Sequence, residues 1–189
     1  MRRWNKQKPA DAGSSGEADG KARPLSLDKA RERTFQRAVK LLAAKPRSVA
    51  ELRERLLEKQ WTNAEIVEAV ILRLREYGYL DDERFAFGYA SFRVRQKPVG
   101  RTRLARNLAL KKVARETADE AIKLVFEETP EVELIDRAIE KRLRLRGHPH
   151  SRAETKSLFD HLLRLGFSYD LVTNKVRAIP MSSDEASSE

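Results

Sequence analysis

Three consecutive acids, Asp81, Asp82 and Glu83, are the residues of this chain that come nearest to a catalytic constellation. Carboxylates that converge on Mg²⁺ can orient a hydrolytic water and neutralise a phosphate, which is nuclease chemistry. Neighbouring residues on a helix do not converge on one ion, however, and no distant acidic cluster supplies a second half of the site. Local physics accounts for the string Gly78-Tyr79-Leu80-Asp81-Asp82-Glu83-Arg84-Phe85-Ala86 in another way. Gly78 ends a helix in the left-handed conformation, Tyr79 and Leu80 dock on the core, and Asp81 caps the next helix. Asp82 and Glu83 then lie in its first turn, where the helix dipole favours negative charge. The histidines offer less. His148 and His150 flank Pro149 in a loop, with no Cys and no carboxylate pair to complete a zinc site, and His161 stands apart. No phosphate loop, dinucleotide fingerprint, nucleophile elbow or HExxH motif occurs. The expectation is a binding protein that is not an enzyme and takes no cofactor or metal.

The residues that do point to a ligand are cationic. With 39 Lys and Arg against 29 Asp and Glu the formal charge is +10, which favours a polyanionic partner: nucleic acid, an acidic protein surface or an anionic membrane. From Arg84 to Arg115 there is no acid at all, and the segment carries Arg93, Arg95, Lys97, Arg101, Arg103, Arg106, Lys111, Lys112 and Arg115. A stretch so charged repels itself in isolation, so these residues are the expected footprint of an anion, with a merely solvated face as the rival reading. On a helical wheel Arg103 and Arg106 face away from Leu104 and Leu108, while Arg101 and Lys112 lie nearer the buried side at the helix ends. A weaker basic run, Lys141, Arg142, Arg144, Arg146 and Arg152, follows later.

Helices must position these groups. Charged residues make up 36% and apolar ones 40%, with 8 Gly and 7 Pro, a composition that excludes a sandwich or barrel and predicts an all-α protein. Apolar residues recur three and four apart, and Ser48 with Glu51, Thr62 with Glu65 and Ser151 with Glu154 have the capping-box pattern of helix starts. Pro98 stops the helix that begins near Asp82, while Gly147 and Pro149 stop the one that begins near Glu131.

The pattern also repeats. Leu52, Leu56, Trp61, Ile66, Val70 and Leu74 map by adding 52 onto Leu104, Leu108, Val113, Ala118, Ile122 and Phe126. Adding 106 lands on Leu158, Leu162, Phe167, Val172 and Val176. Each copy has a first helix (about Ala30 to Ala44, Asp82 to Gln96, Glu131 to Arg146), then a helix, a tight turn plugged by Trp61, Val113 or Phe167, and a third helix. The expected architecture is three tandem three-helix repeats, at residues 26–80, 81–127 and 128–180, in an elongated, curved array. Residues 1–25, with Arg2, Arg3, Lys6 and Lys8 around Trp4, read as a disordered basic arm, and 181–189 as a disordered acidic tail. The chain has no Cys, which fits a reducing cytoplasm, and no run of roughly 18 apolar residues that would span a membrane.

The string at residues 78–86 is similar to the G-Y-[LI]-[DN]-D-x-x-[FY]-A signature of the RecX family. Arg47-Ser48-Val49-Ala50-Glu51-Leu52 resembles that family's R-S-x-x-E-L, and Lys97-Pro98-Val99-Gly100 followed by Leu104 resembles its K-P-x-G-x-x-x-L. The likeness runs from about Thr34 to Ile179. It implies three-helix repeats, and it implies a cytoplasmic monomer that binds RecA recombinase filaments and mainly inhibits their ATPase and strand exchange. Single-stranded DNA is then met weakly or through the filament, and no membrane is involved. The chain departs from the pattern where the family has Lys-Gly before the turn residue: Lys59-Gln60-Trp61 and Lys111-Lys112-Val113 lack the Gly, and Leu165-Gly166-Phe167 keeps it. A different backbone conformation or strain is expected in the first two turns. The rival function is a helix-turn-helix protein acting directly on DNA or RNA. Against it, the helix from Ala64 to Tyr77 puts Glu65, Glu68 and Glu76 on its polar positions, where recognition helices carry Arg, Asn or Gln.

Overall fold

Wherever apolar residues recur at helical spacing, the chain is helical. The computed structural model describes residues 26–180; the basic arm and the acidic tail lie outside the described residues. The elements are α1 (Leu27–Ala44), α2 (Val49–Leu57), α3 (Ala64–Glu76), α4 (Asp82–Gln96), α5 (Arg101–Leu110), α6 (Arg115–Glu128), α7 (Glu131–Arg146), α8 (Arg152–Arg164) and α9 (Tyr169–Arg177), and no strand occurs among the described residues. They pack chiefly as three triplets, α1–α3, α4–α6 and α7–α9. The repeat explains why. Leu52, Leu104 and Leu158, and likewise Leu56, Leu108 and Leu162, occupy equivalent points of the second helix of each triplet and are all buried. Each such leucine contributes roughly 1.5–3 kcal/mol on burial.

The helix starts follow the side chains that can accept from orphan N–H groups. Ser48 Oγ accepts from Glu51 N, Ser151 Oγ from Glu154 N, and Asp81 from both Glu83 N and Arg84 N. Thr62 does not cap α3 as its spacing predicts. Asn63, one residue later, accepts from Ile66 N, and Thr62 Oγ1 instead lies 3.1 Å from Thr34 Oγ1 of α1. Two adjacent residues able to cap make the choice a matter of tertiary contact. Tyr79 also departs from expectation: Leu80 is buried, but Tyr79 is 68% exposed and meets Tyr77 edge-on.

The tight turns divide by backbone. In the third repeat Gly166 takes φ +92, Phe167 N donates to Leu162 O and Gly166 N to Leu163 O, the pair of bonds that closes a helix through a left-handed residue. The second repeat makes the same bonds, Val113 N to Leu108 O and Lys112 N to Ala109 O, with Lys112 forced to φ +58. A side chain in that region costs about 1–2 kcal/mol. In the first repeat the turn is different: Thr62 N bonds Lys59 O, and Gln60 avoids positive φ. As a result Trp61 is only half-buried, whereas Val113 and Phe167 are enclosed. The Arg33 guanidinium covers the indole face at 4.0 Å instead.

Successive repeats meet at one recurring junction, where the second helix of each repeat starts against the tight turn of the next. Ser48, fully buried, donates its hydroxyl to Lys111 O, and Val49 N donates to Asp82 Oδ1 at 2.8 Å. Fifty-two residues on, Gly100 N donates to Leu165 O at 3.0 Å, and Arg101 N to Glu131 Oε1 at 3.0 Å. Here the backbones nearly touch. A Cβ on Gly100 would lie 2.3 Å from the Gly166 carbonyl, and one on Gly166 would lie 2.4 Å from Arg103 Cβ. The apolar cores differ in extent: the second and third repeats share one continuous cluster, and the first has its own around Leu52, Leu56, Val67, Ile71 and Leu74.

Two pairs of substitutions test this description by denaturant unfolding. Gly100→Ala should destabilise by about 1–3 kcal/mol or more through backbone overlap. Gly88→Ala, mid-helix with nothing within 4 Å of its added Cβ, should stabilise by roughly 0.5–1 kcal/mol. Equal effects would show that the Gly100 contact is not tight. Lys112→Gly should stabilise by roughly 0.5–1 kcal/mol by relieving the left-handed lysine, while Gln60→Gly should not stabilise at all.

Candidate polyanion-binding surface

The acid-free segment occupies all of α4 after its first two residues, the α4–α5 link, all of α5 and the turn into α6. Its cations do not share one environment. Lys111 Nζ lies 2.9 Å from Glu51 Oε1, with both side chains largely covered, and Lys112 pairs with Glu54. Arg101 pairs with Glu131 at 3.2 Å and stacks over Phe126 at 4.6 Å, so its lean toward the core follows the helical wheel. Arg115 lies 3.6 Å from Asp119, an exposed pair of little energy. Arg103 donates Nη1 to Arg164 O at 3.1 Å, which places a second-repeat cation on the end of α8. The absence of acid in the local sequence is therefore not an absence of acid in space. Glu51, Glu54 and Glu131 reach in from neighbouring repeats, and only the repeat junction could have revealed them.

Arg93, Arg95, Lys97 and Arg106 remain. Among the described residues none of them has a carboxylate at ion-pair distance. Arg95, Lys97 and Arg106 are exposed, and Arg93 is half-buried. Mobile, unpaired guanidinium and ammonium groups are those whose hydration is easiest to exchange for contact with an anion, because no internal partner has to be broken. Two of the acids at 81–83 are spoken for in a different way. The Asp81 carboxylate caps α4 and that of Asp82 caps α2, so these two are engaged at helix N-termini rather than gathered on a common point. His148 and His150 remain in the α7–α8 link, and no group of three or more His, Cys, Asp or Glu able to hold a metal forms among the described residues.

Two concavities lie apart from this surface. A cavity of about 880 Å³ opens between α1 and α3, where Phe35, Val39, Leu42 and Tyr79 surround Arg73, whose guanidinium sits 4.6 Å from the Phe35 ring and 5.3 Å from that of Tyr77. A smaller one of about 120 Å³ lies at the α7–α8 corner, beside Arg142 and Arg146 of the weaker basic run. No helix of the described residues is long and apolar enough to cross a membrane.

The third helices bear on the helix-turn-helix reading. α6 exposes Glu116, Asp119, Glu120, Glu127 and Glu128 against the single base Lys123 beyond its first residue, and on α3 Glu68 holds Arg53 in a two-bond ion pair. That bond keeps the Glu68 carboxyl below its usual range, the Arg53 hydrogen bond outweighing the opposing effect of burial, with the Arg53 charge adding a smaller share. Acidic outer faces repel the phosphates that a recognition helix must approach.

Comparison with known proteins places these features in a family. Residues 35–81 match the model of the RecX first three-helix domain, and residues 81–122 that of the second. The regulatory protein RecX of Pelodictyon phaeoclathratiforme is 32% identical over 150 residues, covering 78% of this chain and 91% of that protein. The RecX of Treponema pallidum is 37% identical over 115 residues, with 60% of this chain and 69% of that protein covered. The RecX of Bacillus licheniformis, 29% identical over 151 residues, is longer, and the chain spans 57% of it. A crystal structure of RecX from Lactobacillus salivarius superposes with a TM-score of 0.71 at 20% identity, over 80% of this chain and 97% of that one, and shows the same fold. Three-helix repeats joined at equivalent junctions, two family models in tandem and relatives matched over most of their length establish that this chain belongs to the RecX family.

Proposed function

We propose that this chain binds RecA–DNA filaments and restrains RecA, lowering ATP hydrolysis and strand exchange without chemistry of its own. The family's regulatory role supports this reading, and the observation that carries it on this molecule is the set of unpaired cations Arg93, Arg95, Lys97 and Arg106. A filament is a repeating array of protein and phosphate, and a chain of repeats with exposed positive charge suits such a partner. Restraint needs only differential affinity. A protein that binds one filament state more tightly than another shifts the population by the ratio of the two affinities. The family likeness names RecA; the charge alone does not.

Of the ten basic residues from Arg84 to Arg115, we take a subset as the contact. Lys111, Lys112 and Arg101 are already neutralised, and Arg103 is engaged with α8, so their replacement disturbs the repeat junctions before it disturbs a partner.

The test is RecA ATPase on single-stranded DNA, with the chain and its variants titrated in. Arg93→Glu, Arg95→Glu and Arg106→Glu combined should weaken inhibition roughly tenfold or more, each lost pair being worth about 0.2–1 kcal/mol and each reversal adding repulsion. The unfolding curve should stay where it was. Lys111→Gln should behave oppositely, lowering stability while changing inhibition little. Full inhibition by the triple variant would move the contact elsewhere. Tight, sequence-selective binding to bare DNA that RecA does not improve would instead establish the direct nucleic-acid reader.

A further inference from the structure

The third repeat gathers a second set of cations that the acid-free segment does not contain. On α7, Arg142 and Arg146 stand one helical turn apart; on α8, Ser157, His161 and Arg164 follow at four and three residues, so each set shares a face. The two faces are joined, because Arg142 Nη2 donates to Ser157 Oγ at 3.3 Å. Between them lies the cavity of about 120 Å³, bordered by Arg142, Arg146, Gly147, His148, Glu154 and Ser157. The one carboxylate there is occupied: Glu154 Oε2 accepts the His150 backbone N–H at 2.8 Å. Among the described residues no acid lies at ion-pair distance from Arg142, Arg146 or Arg164. Arg103 adds a further guanidinium at the Arg164 carbonyl.

These groups feel one another. Burial, then Arg146 and Arg164, hold the Arg142 guanidinium below the ordinary arginine range. Burial, then Arg142, Arg164 and Arg146, hold the His161 imidazole below its own. Cations near a helix C-terminus are ordinarily favoured by the dipole, and Arg146 and Arg164 sit in the last turns of α7 and α8. Cations that form no ion pair within the fold are stabilised by an external anion.

We infer that this corner between α7 and α8 is an anion site that holds a backbone phosphate of nucleic acid, with Arg142 and Arg146, which border the cavity, as its donors. Two guanidinium forks and no lysine on the cavity wall suit the tetrahedral oxygens of a phosphate, which accept bidentate pairs. No Phe, Tyr or Trp borders the cavity, and the imidazole of His148 is its one ring, so the contact is assigned to the backbone rather than to a base. This assignment rests on the proposed filament binding and deepens it: the filament's DNA strand is the source of the phosphate, reached by the third repeat.

The experiment uses the full chain with a thymidine oligonucleotide as the probe, and RecA-coated oligonucleotide in parallel. On adding the bare oligonucleotide, the His161 imidazole should titrate at higher pH by NMR, because a bound phosphate favours its charged form. The Arg142→Gln, Arg146→Gln double variant should bind more weakly, with the slope of log affinity against log salt shallower by about 0.7, the share of one phosphate contact on a single strand. If that variant does not fold, the His161 titration of the unaltered chain decides. An unmoved His161, an unchanged salt slope, or an equal His161 response to polyglutamate at matched salt would overturn the phosphate assignment, the last pointing to an acidic protein surface. These responses with bare DNA, in a chain that ignores RecA-coated DNA, would uphold the site while removing the filament reading. Unaltered filament binding by the folded double variant would remove the site alone.

Discussion

A helix start leaves backbone N–H groups without partners, and a tight turn after a helix leaves carbonyls without them. In this molecule the two deficits meet. The first N–H groups of α2 and α5 donate to Asp82 and Glu131, the opening residues of the next repeat's first helix, and the last carbonyls of α5 and α8 accept from Ser48 and Gly100. Each junction thus satisfies groups that neither repeat can satisfy alone, and each unsatisfied buried group would cost about 1–3 kcal/mol. Three short helices bury too little area to be very stable by themselves, so this exchange, repeated at equivalent residues, holds the array in register.

The junctions also explain which residues tolerate which conformations. Lys112 keeps a left-handed backbone that Gln60 avoids, although neither position has the glycine that Gly166 supplies. Around Lys112 the turn is pinned from outside, by Ser48 on the Lys111 carbonyl and by Glu51 and Glu54 on the two lysine side chains. Strain persists where surrounding contacts over-determine the backbone. Among the described residues no second helix of another repeat lies against the turn at Gln60, and its backbone relaxes. The half-buried Trp61 follows from that relaxation, because the left-handed closure that seats Val113 and Phe167 is missing.

Local periodicity made much of this legible. The leucines at 52, 56, 104, 108, 158 and 162 and the ends of α4 and α7 follow from spacing, glycine and proline, since helical burial and helix termination are decided within a few residues. What stayed hidden depends on distant contacts. Nothing near Asp82 says that its carboxylate caps a helix 33 residues earlier, and nothing near Lys111 says that Glu51 neutralises it. The choice of Asn63 over Thr62 as a cap turned on Thr34. The meeting of Arg142 with Ser157 needed two helices to pack, although the four-residue spacing of Arg142 and Arg146 already placed those two on one face.

The two junctions are not equal in kind, and the difference ties architecture to charge. The second and third repeats share an apolar core, and their junction is made by backbone so close that only glycine fits at Gly100 and Gly166. The first and second repeats keep separate cores and meet through a serine, two carboxylate–lysine pairs and a capping aspartate. Removing apolar area from the first kind of contact costs in proportion to that area, whereas each polar bond of the second contributes only about 0.5–1.5 kcal/mol net and its ion pairs weaken with salt. The same carboxylates that close the polar junction cancel Lys111 and Lys112. The number of cations offered to a polyanion is therefore set by how the repeats are joined, and the positive charge left exposed on α4 and α5 is what remains once the fold has taken its share.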